Sequence, residues 1–209
     1  MRAERLTVFV IDDDASVRDS IALMLGLAGY RTSVFADAEA FLAARKEDWA
    51  GCVIADVRLP GQSGVELQDE LRKRGIALPF VIITAHGDVP TARAAFRSQA
   101  VDFLEKPFDH TQLCAAIETA FALEERRIER KDSQRADAEK LGRLTARERE
   151  VLEHAARGLH AKEIAVALGI SPRTVEVHKT RIMEKLKVRN IAELVRFSIA
   201  ATPPDGDSR

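Results

Sequence analysis

The sequence predicts an α/β domain built on a five-stranded, doubly wound parallel sheet, followed by a smaller domain made only of helices. Up to about residue 122, short apolar runs alternate with stretches whose apolar residues recur at helical spacing. Such alternation is typical of a parallel sheet that is covered by helices on both faces. From Thr145 onward only the helical spacing remains. We therefore expect a separate all-α domain there.

The α/β domain is predicted element by element from these runs. Strands rich in β-branched and aromatic residues are expected at Thr7–Ile11, Arg31–Phe35, Cys52–Ala55, Phe80–Thr84 and Val101–Leu104. Helices are expected between them at Ala15–Leu27, Ala38–Lys46, Gly64–Arg74 and Thr91–Ser98. A fifth helix should begin at Asp109, because Gln112, three residues later, can complete a capping box.

The end of the fifth helix is not evident from the sequence. Its apolar stripe continues through Phe121 and Ile128 into a densely charged stretch. We interpret this stretch as a solvated linker helix that frays toward Ser133. The alternative is a short coiled coil that holds two subunits together, but the apolar positions are too few to sustain several heptads.

The all-α domain is predicted from its caps. Thr145 and Glu148 form a capping box at the start of its first helix, and Gly158 ends that helix. The helices that follow are predicted at Ala161–Leu168, from Pro172 (after the N-cap Ser171) to about Leu186, and from the cap pair Asn190 and Glu193.

These elements divide the chain into segments of different charge. The segments are the α/β domain over 5–122, a charged helical linker over 123–143, the helical domain over 144–200 and a disordered polar tail over 201–209. Residues 1–122 carry 13 Lys and Arg against 18 Asp and Glu, whereas residues 144–200 carry 11 against 7. An acidic front half and a basic back half indicate two functions, the second of them on nucleic acid.

Composition excludes several classes of protein. The apolar fraction of 46% and the charged fraction of 31% are ordinary for a soluble globular protein. No run approaches the length of a membrane-spanning helix, and the start lacks the features of a signal peptide. Cys52 and Cys114 have no metal-ligand spacing, so we expect buried free thiols. The sequence predicts a cytoplasmic protein with no membrane partner.

Polar side chains that suit phosphoryl chemistry follow four of the predicted strands. They are Asp12, Asp13, Asp56, Thr84 and Lys106. Because parallel strands deliver their carboxyl ends to one edge of the sheet, these residues should converge there. Carboxylates suit Mg²⁺, and with a hydroxyl and an ammonium they can accept a phosphoryl group. Asp14 is left out of this site, because an Asp there caps the helix from Ala15.

Residues 5–122 resemble the receiver domain of bacterial two-component response regulators, which has the flavodoxin/CheY-like fold. The matching motifs are VIDDD, IADVRLPGQSG, VIITAHGD and FLEKPF. The resemblance implies that Asp56 is the phosphoacceptor and that a sensor histidine kinase supplies the phosphoryl group. It also implies that Asp12, Asp13 and Asp56, with the Arg58 backbone carbonyl, hold Mg²⁺.

The same resemblance implies how the signal leaves the site. Thr84 moves toward the phosphoryl group and Phe103 rotates inward as the switch residue, which reshapes one face of the domain. Lys106 and Mg²⁺ neutralise the charge that develops on the phosphoryl oxygens. A rotamer change of this kind transmits information only if it biases an element with two packed states.

The helical domain contains a helix, a tight turn and a second helix. Ile164 and Leu168 should pack inward, Gly169 permits the turn, and Val175 and Ile182 give the next helix a buried face. The opposite face remains for solvent or a partner. This division is the one that a recognition helix in a DNA major groove needs.

Thr145–Ala200 resembles the LuxR-type helix-turn-helix domain on the motifs LTAREREVL, AKEIAVALGIS and RTVEVHKTRIMEKL. With the receiver, this implies the FixJ/NarL group, closest to FixJ-like regulators. By resemblance, base edges face Glu176, Val177 and Thr180. Phosphate contacts are expected from Lys162, Arg173, Thr174, His178, Lys179 and Arg181.

Lys185 and Lys187 are interpreted as solvated. The last helix, with Ile191, Leu194, Val195 and Ile199, resembles the dimerising helix of the family; the alternative is a lid over the core.

The predicted function is phosphorylation-controlled transcription regulation, with no enzymatic role beyond the chemistry of the phosphoacceptor itself. The resemblance implies a homodimer on phosphorylation, a two-fold double-stranded DNA operator and RNA polymerase as a partner, and it favours activation over repression. One alternative is a receiver that serves as a phosphorylation-independent dimer module. A distant alternative is a haloacid-dehalogenase-type phosphatase, which Asp12-x-Asp14-x-Ser16 loosely resembles, although no acidic pair follows Lys106.

Overall fold

The computed structural model describes residues 6–85, 99–188 and 193 of the 209-residue chain. The chain divides into two compact units, Met1–Arg127 and Ile128–Arg209. The predicted helix Thr91–Ser98, the fourth helix of the C-terminal domain with its apolar stripe, and the tail lie outside the described residues. Among the helices that the structure describes, none is long and apolar enough to cross a membrane.

The first unit contains the predicted five-stranded parallel sheet. Its strands are β1 (Thr7–Ile11), β2 (Arg31–Phe35), β3 (Gly51–Asp56), β4 (Phe80–Thr84) and β5 (Asp102–Glu105), in the spatial order β2-β1-β3-β4-β5. Every neighbouring pair is parallel. All residues of β3 and β4 are buried, as expected for strands covered on both faces. β3 extends one residue beyond each predicted end, so Asp56 closes the strand opposite Ile83.

Three helices of the first unit follow the predicted boundaries closely. They are α1 (Ala15–Leu27), α2 (Ala38–Ala44) and α3 (Gly64–Lys73). α2 is two residues shorter than predicted because Arg45 adopts an extended conformation. One core layer joins β1, β3 and β4 to α2 and α3 through residues such as Phe9, Phe41 and Leu67. β5 begins at Asp102, one residue later than predicted.

The fifth predicted helix is α4 (His110–Gly142). The expected capping box is present: the Gln112 backbone N–H donates to Asp109 Oδ1 at 2.8 Å, and Asp109 N–H donates to Gln112 Oε1 at 3.0 Å. The prediction that the helix frays toward Ser133 differs from the structure, where it continues through Ser133. The stretch beyond Arg127 is rich in Arg, Lys, Glu and Ala, which are strong helix formers.

The second unit contains α5 (Ala146–Ala156), α6 (Ala161–Leu168) and α7 (Pro172–Leu186). The Thr145–Glu148 capping box and the Ser171 N-cap are present as predicted. Gly169 ends α6 in the left-handed region, with φ 65°, and so permits the tight turn into α7. The core of the unit is formed by buried residues of all three helices and by Leu144.

Candidate functional site

The carboxyl edge of the sheet brings together three of the predicted site residues. Lys106 Nζ donates to Asp12 Oδ2 at 2.6 Å and also to Asp56 Oδ2. Asp12 is 1% exposed and Asp56 is 7% exposed, so two nearly buried carboxylates share one ammonium group. The residues are 94 and 50 positions from Lys106 in sequence, and only the parallel sheet places them side by side.

Backbone hydrogen bonds fix the second oxygen of each carboxylate. The backbone N–H of Asp14 donates to Asp12 Oδ1 at 2.9 Å, and that of Arg58 donates to Asp56 Oδ1 at 2.8 Å. Each aspartate is therefore held by the turn that follows its own strand. The Lys106 N–H donates to the carbonyl of Thr84 at 2.7 Å, which sets the lysine beside the end of β4.

The loop between β3 and α3 approaches Asp56 closely. The Gly64 N–H donates to the Val57 carbonyl at 3.2 Å. A Cβ atom at Gly64 would lie 2.3 Å from the Asp56 carbonyl oxygen, which is well inside contact distance. Glycine at this position lets the start of α3 lie against the end of β3, and it thereby fixes the backbone of Asp56.

The two aspartates of this pocket affect the pKa of Lys106. Burial by itself would lower the pKa of Lys106, but the hydrogen bonds and negative charges of Asp12 and Asp56 outweigh it and raise the pKa above the ordinary value. The lysine is therefore a permanent cation at neutral pH. Its single positive charge faces two carboxylates, so the pocket keeps an excess of negative charge.

The other predicted pocket residues lie around this centre. Thr84 is buried at the end of β4, whereas Asp13 and Arg58 are exposed. Phe103 on β5 is half-buried against the core layer beneath α2 and α3. Asp14 is the N-cap of α1, as predicted, and accepts from the Ser16 N–H at 2.8 Å. That backbone hydrogen bond lowers the pKa of Asp14.

The donor atoms of the pocket are of the kind that Mg²⁺ prefers. Within residues 6–85 and 99–188, no three His, Cys, Asp or Glu side chains are gathered as a ready-made metal cage. Mg²⁺ does not need such a cage, because it keeps several waters and takes one or two protein carboxylates. Asp12 and Asp56 supply two such carboxylates at one edge, and their charge is only half compensated by Lys106. The residues present therefore fit a hydrated Mg²⁺ ion.

The candidate DNA-binding residues lie on α7 and α6 of the second unit. Arg173, Glu176, Val177, Thr180 and Arg181 are exposed along α7, and Lys162 is exposed on α6. Val175, Ile182 and Leu186 face the core. The predicted division of α7 into a core stripe and an outward face is therefore present.

Three of the predicted phosphate contacts are half-buried or largely covered. The Lys179 side chain is 13% exposed and pairs with Glu176 at 3.3 Å. Thr174 is half-buried, and its hydroxyl lies 2.8 Å from the Ser171 hydroxyl in the N-cap. His178 is half-buried, and its Nδ1 is buried without a hydrogen-bond partner among the described residues. Lys179 was expected to remain open to solvent or a partner; most of its side chain is covered, and its role as a phosphate contact stays a prediction.

Sequence reasoning missed one interaction that links two helices of the second unit. Lys185 was interpreted as solvated, but its Nζ donates to Glu148 Oε2 at 2.6 Å. Glu148 could be found from the capping box that it forms with Thr145. The contact of Glu148 with Lys185 could not be found in this way, because 37 residues separate the two and only the packing of α5 on α7 brings them together.

Comparisons with known proteins agree with both units. The response regulator receiver domain family matches residues 8–118, and the luxR family of bacterial regulatory proteins matches residues 142–198. The transcriptional regulatory protein FixJ of Azorhizobium caulinodans is 42% identical over 95% of this chain and 94% of its own length. FixJ of Rhizobium meliloti is also 42% identical, over 93% of this chain and 95% of its own.

Solved structures give the same result. The response regulator StyR matches with a TM-score of 0.81 and 42% identity, over 93% of this chain and 98% of that chain. Full-length FixJ from B. japonicum matches with a TM-score of 0.58 and 41% identity, over 94% and 97%. These relatives are regulators rather than phosphatases. The chain therefore belongs to the two-component response regulators of the FixJ/NarL group, which join a receiver domain to a LuxR-type DNA-binding domain.

Proposed function

We propose that Asp56 is the phosphoacceptor of this regulator and that a sensor histidine kinase is its phosphoryl donor. The observation that carries the proposal is the sharing of Lys106 between Asp12 and Asp56. In this proposal the Asp56 carboxylate is the nucleophile and the Lys106 ammonium is the cation beside it, in a nearly buried pocket at the edge of the sheet. The proposal assigns the receiver to residues 5–122 and the DNA-binding domain to 144–200, with 123–143 as the linker.

The chemistry follows from the positions of these groups. A carboxylate oxygen of Asp56 attacks the phosphorus of a phosphohistidine, the phosphorus–nitrogen bond breaks, and its electron pair leaves with the imidazole. The Lys106 ammonium contacts Asp56 Oδ2 and stabilises negative charge on the phosphoryl oxygens, which is where phosphoryl-transfer catalysis mostly lies. We assign to the Thr84 hydroxyl the donation of a hydrogen bond to one of those oxygens.

We assign the Mg²⁺ ligands to Asp12, Asp13, Asp56 and the backbone carbonyl of Arg58. When it is bound, Mg²⁺ supplies positive charge that offsets the carboxylates and the incoming phosphoryl group. The excess negative charge around Lys106 supports this assignment. Asp13 is exposed, so its carboxylate is free of packing constraints that would keep it from the ion.

The switch in this proposal is Phe103, acting with Thr84. Phe103 is half-buried beside the core layer, so an inward rotation would bury more of its ring. Such a change promotes a homodimer only if the dimer surface differs between the two packed states. We propose that phosphorylation biases this equilibrium toward a dimer that binds a two-fold operator.

The second unit would then read DNA through α7. We assign base contacts to Glu176, Val177 and Thr180, because Glu can accept from cytosine N4 and Val can contact a thymine methyl group. Phosphate contacts are assigned to Lys162, Arg173, Thr174, His178, Lys179 and Arg181. Bound to its operator, the protein would activate transcription through RNA polymerase, and it would act in the cytoplasm.

The test is phosphorylation of the full chain by labelled acetyl phosphate with Mg²⁺, followed by size-exclusion chromatography. The wild-type chain should acquire an acid-stable, alkali-labile acyl phosphate and shift toward a dimer. Asp56→Asn should not be labelled, whereas Asp14→Asn should be labelled normally, because asparagine also caps a helix. Continuous release of phosphate without a stable adduct, or undiminished labelling of Asp56→Asn, would overturn the proposal.

A further inference from the structure

The first turn of α5 contacts both helices of the helix-turn-helix. A guanidinium nitrogen of Arg147 donates to the carbonyl oxygen of Leu168, the last residue of α6. Glu148, the next residue, accepts from Lys185 near the end of α7. One helical turn therefore holds the end of α6 and the C-terminal part of α7.

Glu148 is held more tightly than a surface carboxylate. It is 3% exposed, and its Oε2 atom accepts from Thr145 N at 2.8 Å, from Thr145 Oγ1 at 3.0 Å and from Lys185 Nζ at 2.6 Å. Burial raises the pKa of this carboxyl, but the bonds from Lys185 and Thr145 outweigh it, so the pKa lies below its usual value. Breaking the ion pair would leave the buried Glu148 carboxylate without a cation, which costs free energy, so Glu148 and Lys185 are expected to remain paired.

Lys185 shares a rigid helix with the residues assigned to the base edges. It lies five residues beyond Thr180, between Ile182 and Leu186, which are both buried. A helix segment of this length is rigid about its axis. A contact that fixes its rotation at Lys185 therefore also fixes the directions in which Val177 and Thr180 point. Leu144 and Thr145, at the other end of the contact, lie two and three residues after the last residue of α4.

We propose that Glu148 and Lys185 are positioning residues for DNA recognition: their ion pair sets the rotation of α7 and so aims Glu176, Val177 and Thr180 at the bases. This inference rests on the proposed DNA-binding function. Base contacts depend on accurate geometry, whereas phosphate contacts tolerate a small rotation. Loss of the pair should therefore weaken specific binding more than non-specific binding.

The experiment uses the full-length chain and two duplexes. One is selected by the wild-type chain from a random-sequence pool, and the other is an unrelated duplex of equal length. Affinities for both are measured for Lys185→Met, Glu148→Gln and Lys185→Arg, at a temperature where circular dichroism shows wild-type helix content. Lys185→Met and Glu148→Gln should lose about tenfold in affinity for the selected duplex, comparable to one lost base contact. Lys185→Arg keeps the cation and should restore most of that loss.

Glu163→Gln is the matched control. Glu163 also caps a helix of this unit, accepting from the His160 N–H at 2.7 Å, but it caps α6 rather than joining α5 to α7. It should leave the ratio of specific to non-specific affinity unchanged. An unchanged ratio in folded Lys185→Met would overturn the inference. Equal loss for both duplexes with a shallower salt dependence would also overturn it, because Lys185 would then be a phosphate contact. If the wild-type chain selects no sequence, the proposed function itself fails.

Discussion

Among single residues, Lys106 joins the two nearly buried carboxylates of the pocket. It is the cation that the structure pairs with both Asp12 and Asp56, and its pKa is raised by them. Without it, two buried carboxylates would face each other across the site, and like charges at such range repel strongly. The same repulsion is what a bound Mg²⁺ ion would relieve.

We predict that Lys106→Met destabilises the receiver by about 1.5–3 kcal/mol in buffer with a chelator, the range for a hydrogen bond to a charged group. Millimolar Mg²⁺ should reduce this loss of stability, because the ion replaces part of the missing positive charge. The chain has one tryptophan, Trp49, which stacks on Phe9 with ring centroids 4.4 Å apart. Its fluorescence therefore reports unfolding of the receiver in urea.

The control for this experiment is Lys73→Met, at an exposed lysine of α3. It should change the free energy of unfolding by less than about 0.5 kcal/mol, as surface substitutions usually do. If Lys106→Met loses the same free energy of unfolding with Mg²⁺ as with chelator, the assignment of Mg²⁺ to this pocket is contradicted.

At the scale of elements, the site depends on how tightly β3 and α3 meet. Gly64 is the contact point, since an added Cβ would lie 2.3 Å from the Asp56 carbonyl oxygen. The loop that begins at Asp56 must return to Gly64 within eight residues, and the Ser63–Glu66 capping box starts α3 there. Any displacement of α3 is therefore passed to the backbone of Asp56.

We predict that Gly64→Ala slows phosphorylation by acetyl phosphate at least about tenfold, because an ångström of misplacement in a reacting group is costly. It should also destabilise the receiver by about 1–3 kcal/mol, the usual cost of overpacking. Gly26→Ala in α1 is the control. Among the described residues, no atom outside its own stretch of helix lies within 4 Å of its added Cβ, so phosphorylation should be unchanged and stability should rise by up to about 1 kcal/mol. Wild-type labelling by Gly64→Ala would show that this contact does not position Asp56.

A second prediction concerns the pH dependence of the α5–α7 contact. The pKa of Glu148 is lowered in the folded second unit. As the pH falls, Glu148 therefore takes up a proton at a higher pH in the unfolded chain than in the folded one. The stabilisation is therefore complete above the ordinary glutamate pKa and is lost as the pH falls through the lowered one. In urea unfolding followed by circular dichroism, Glu148→Gln should flatten the acid dependence of the helical transition. The transition reported by Trp49 should not change.

An equal acid dependence in Glu148→Gln and wild type would mean that another carboxyl group carries the effect. Glu66→Gln serves as the comparison within the receiver. Its pKa is likewise lowered by a capping box, with Ser63, but it is not part of the second unit. It should leave the helical transition of that unit as it is in the wild-type chain.

Local signals in the sequence account for most of the elements. The caps Asp14, Ser63, Thr145 and Ser171 hold the helix starts where the pattern predicted them, because capping is decided by neighbouring residues. The parallel sheet was likewise predicted from alternating runs. α2 ended early because Arg45 is extended. The charged part of α4 stayed helical where fraying was expected, because its residues are strong helix formers.

Pairings between distant side chains were harder to predict. The convergence of Asp12, Asp56 and Lys106 could be inferred, because parallel strands order their ends by topology alone. The Glu148–Lys185 pair and the covering of Lys179 could not be inferred, because both depend on the rotation of one helix against others. Sequence spacing defines which face of a helix is apolar, but it does not define which neighbour that face meets.

At the scale of the whole molecule, the chain joins an acidic phosphorylation unit to a basic DNA-binding unit. Each unit has its own core, and the boundary between them falls within α4, after Arg127. The family identity explains why both are present in one chain, since one receives a signal and the other acts on DNA. The central claim of this account is that the state of Asp56 controls the second unit.

The most direct test measures the affinity of the full chain for its selected duplex before and after treatment with acetyl phosphate and Mg²⁺. The wild-type chain should bind more tightly after treatment, with a stoichiometry of two chains per duplex, while Asp56→Asn stays at its untreated affinity. An equal gain in Asp56→Asn, or no gain in a wild-type chain shown to be phosphorylated, would contradict the claim.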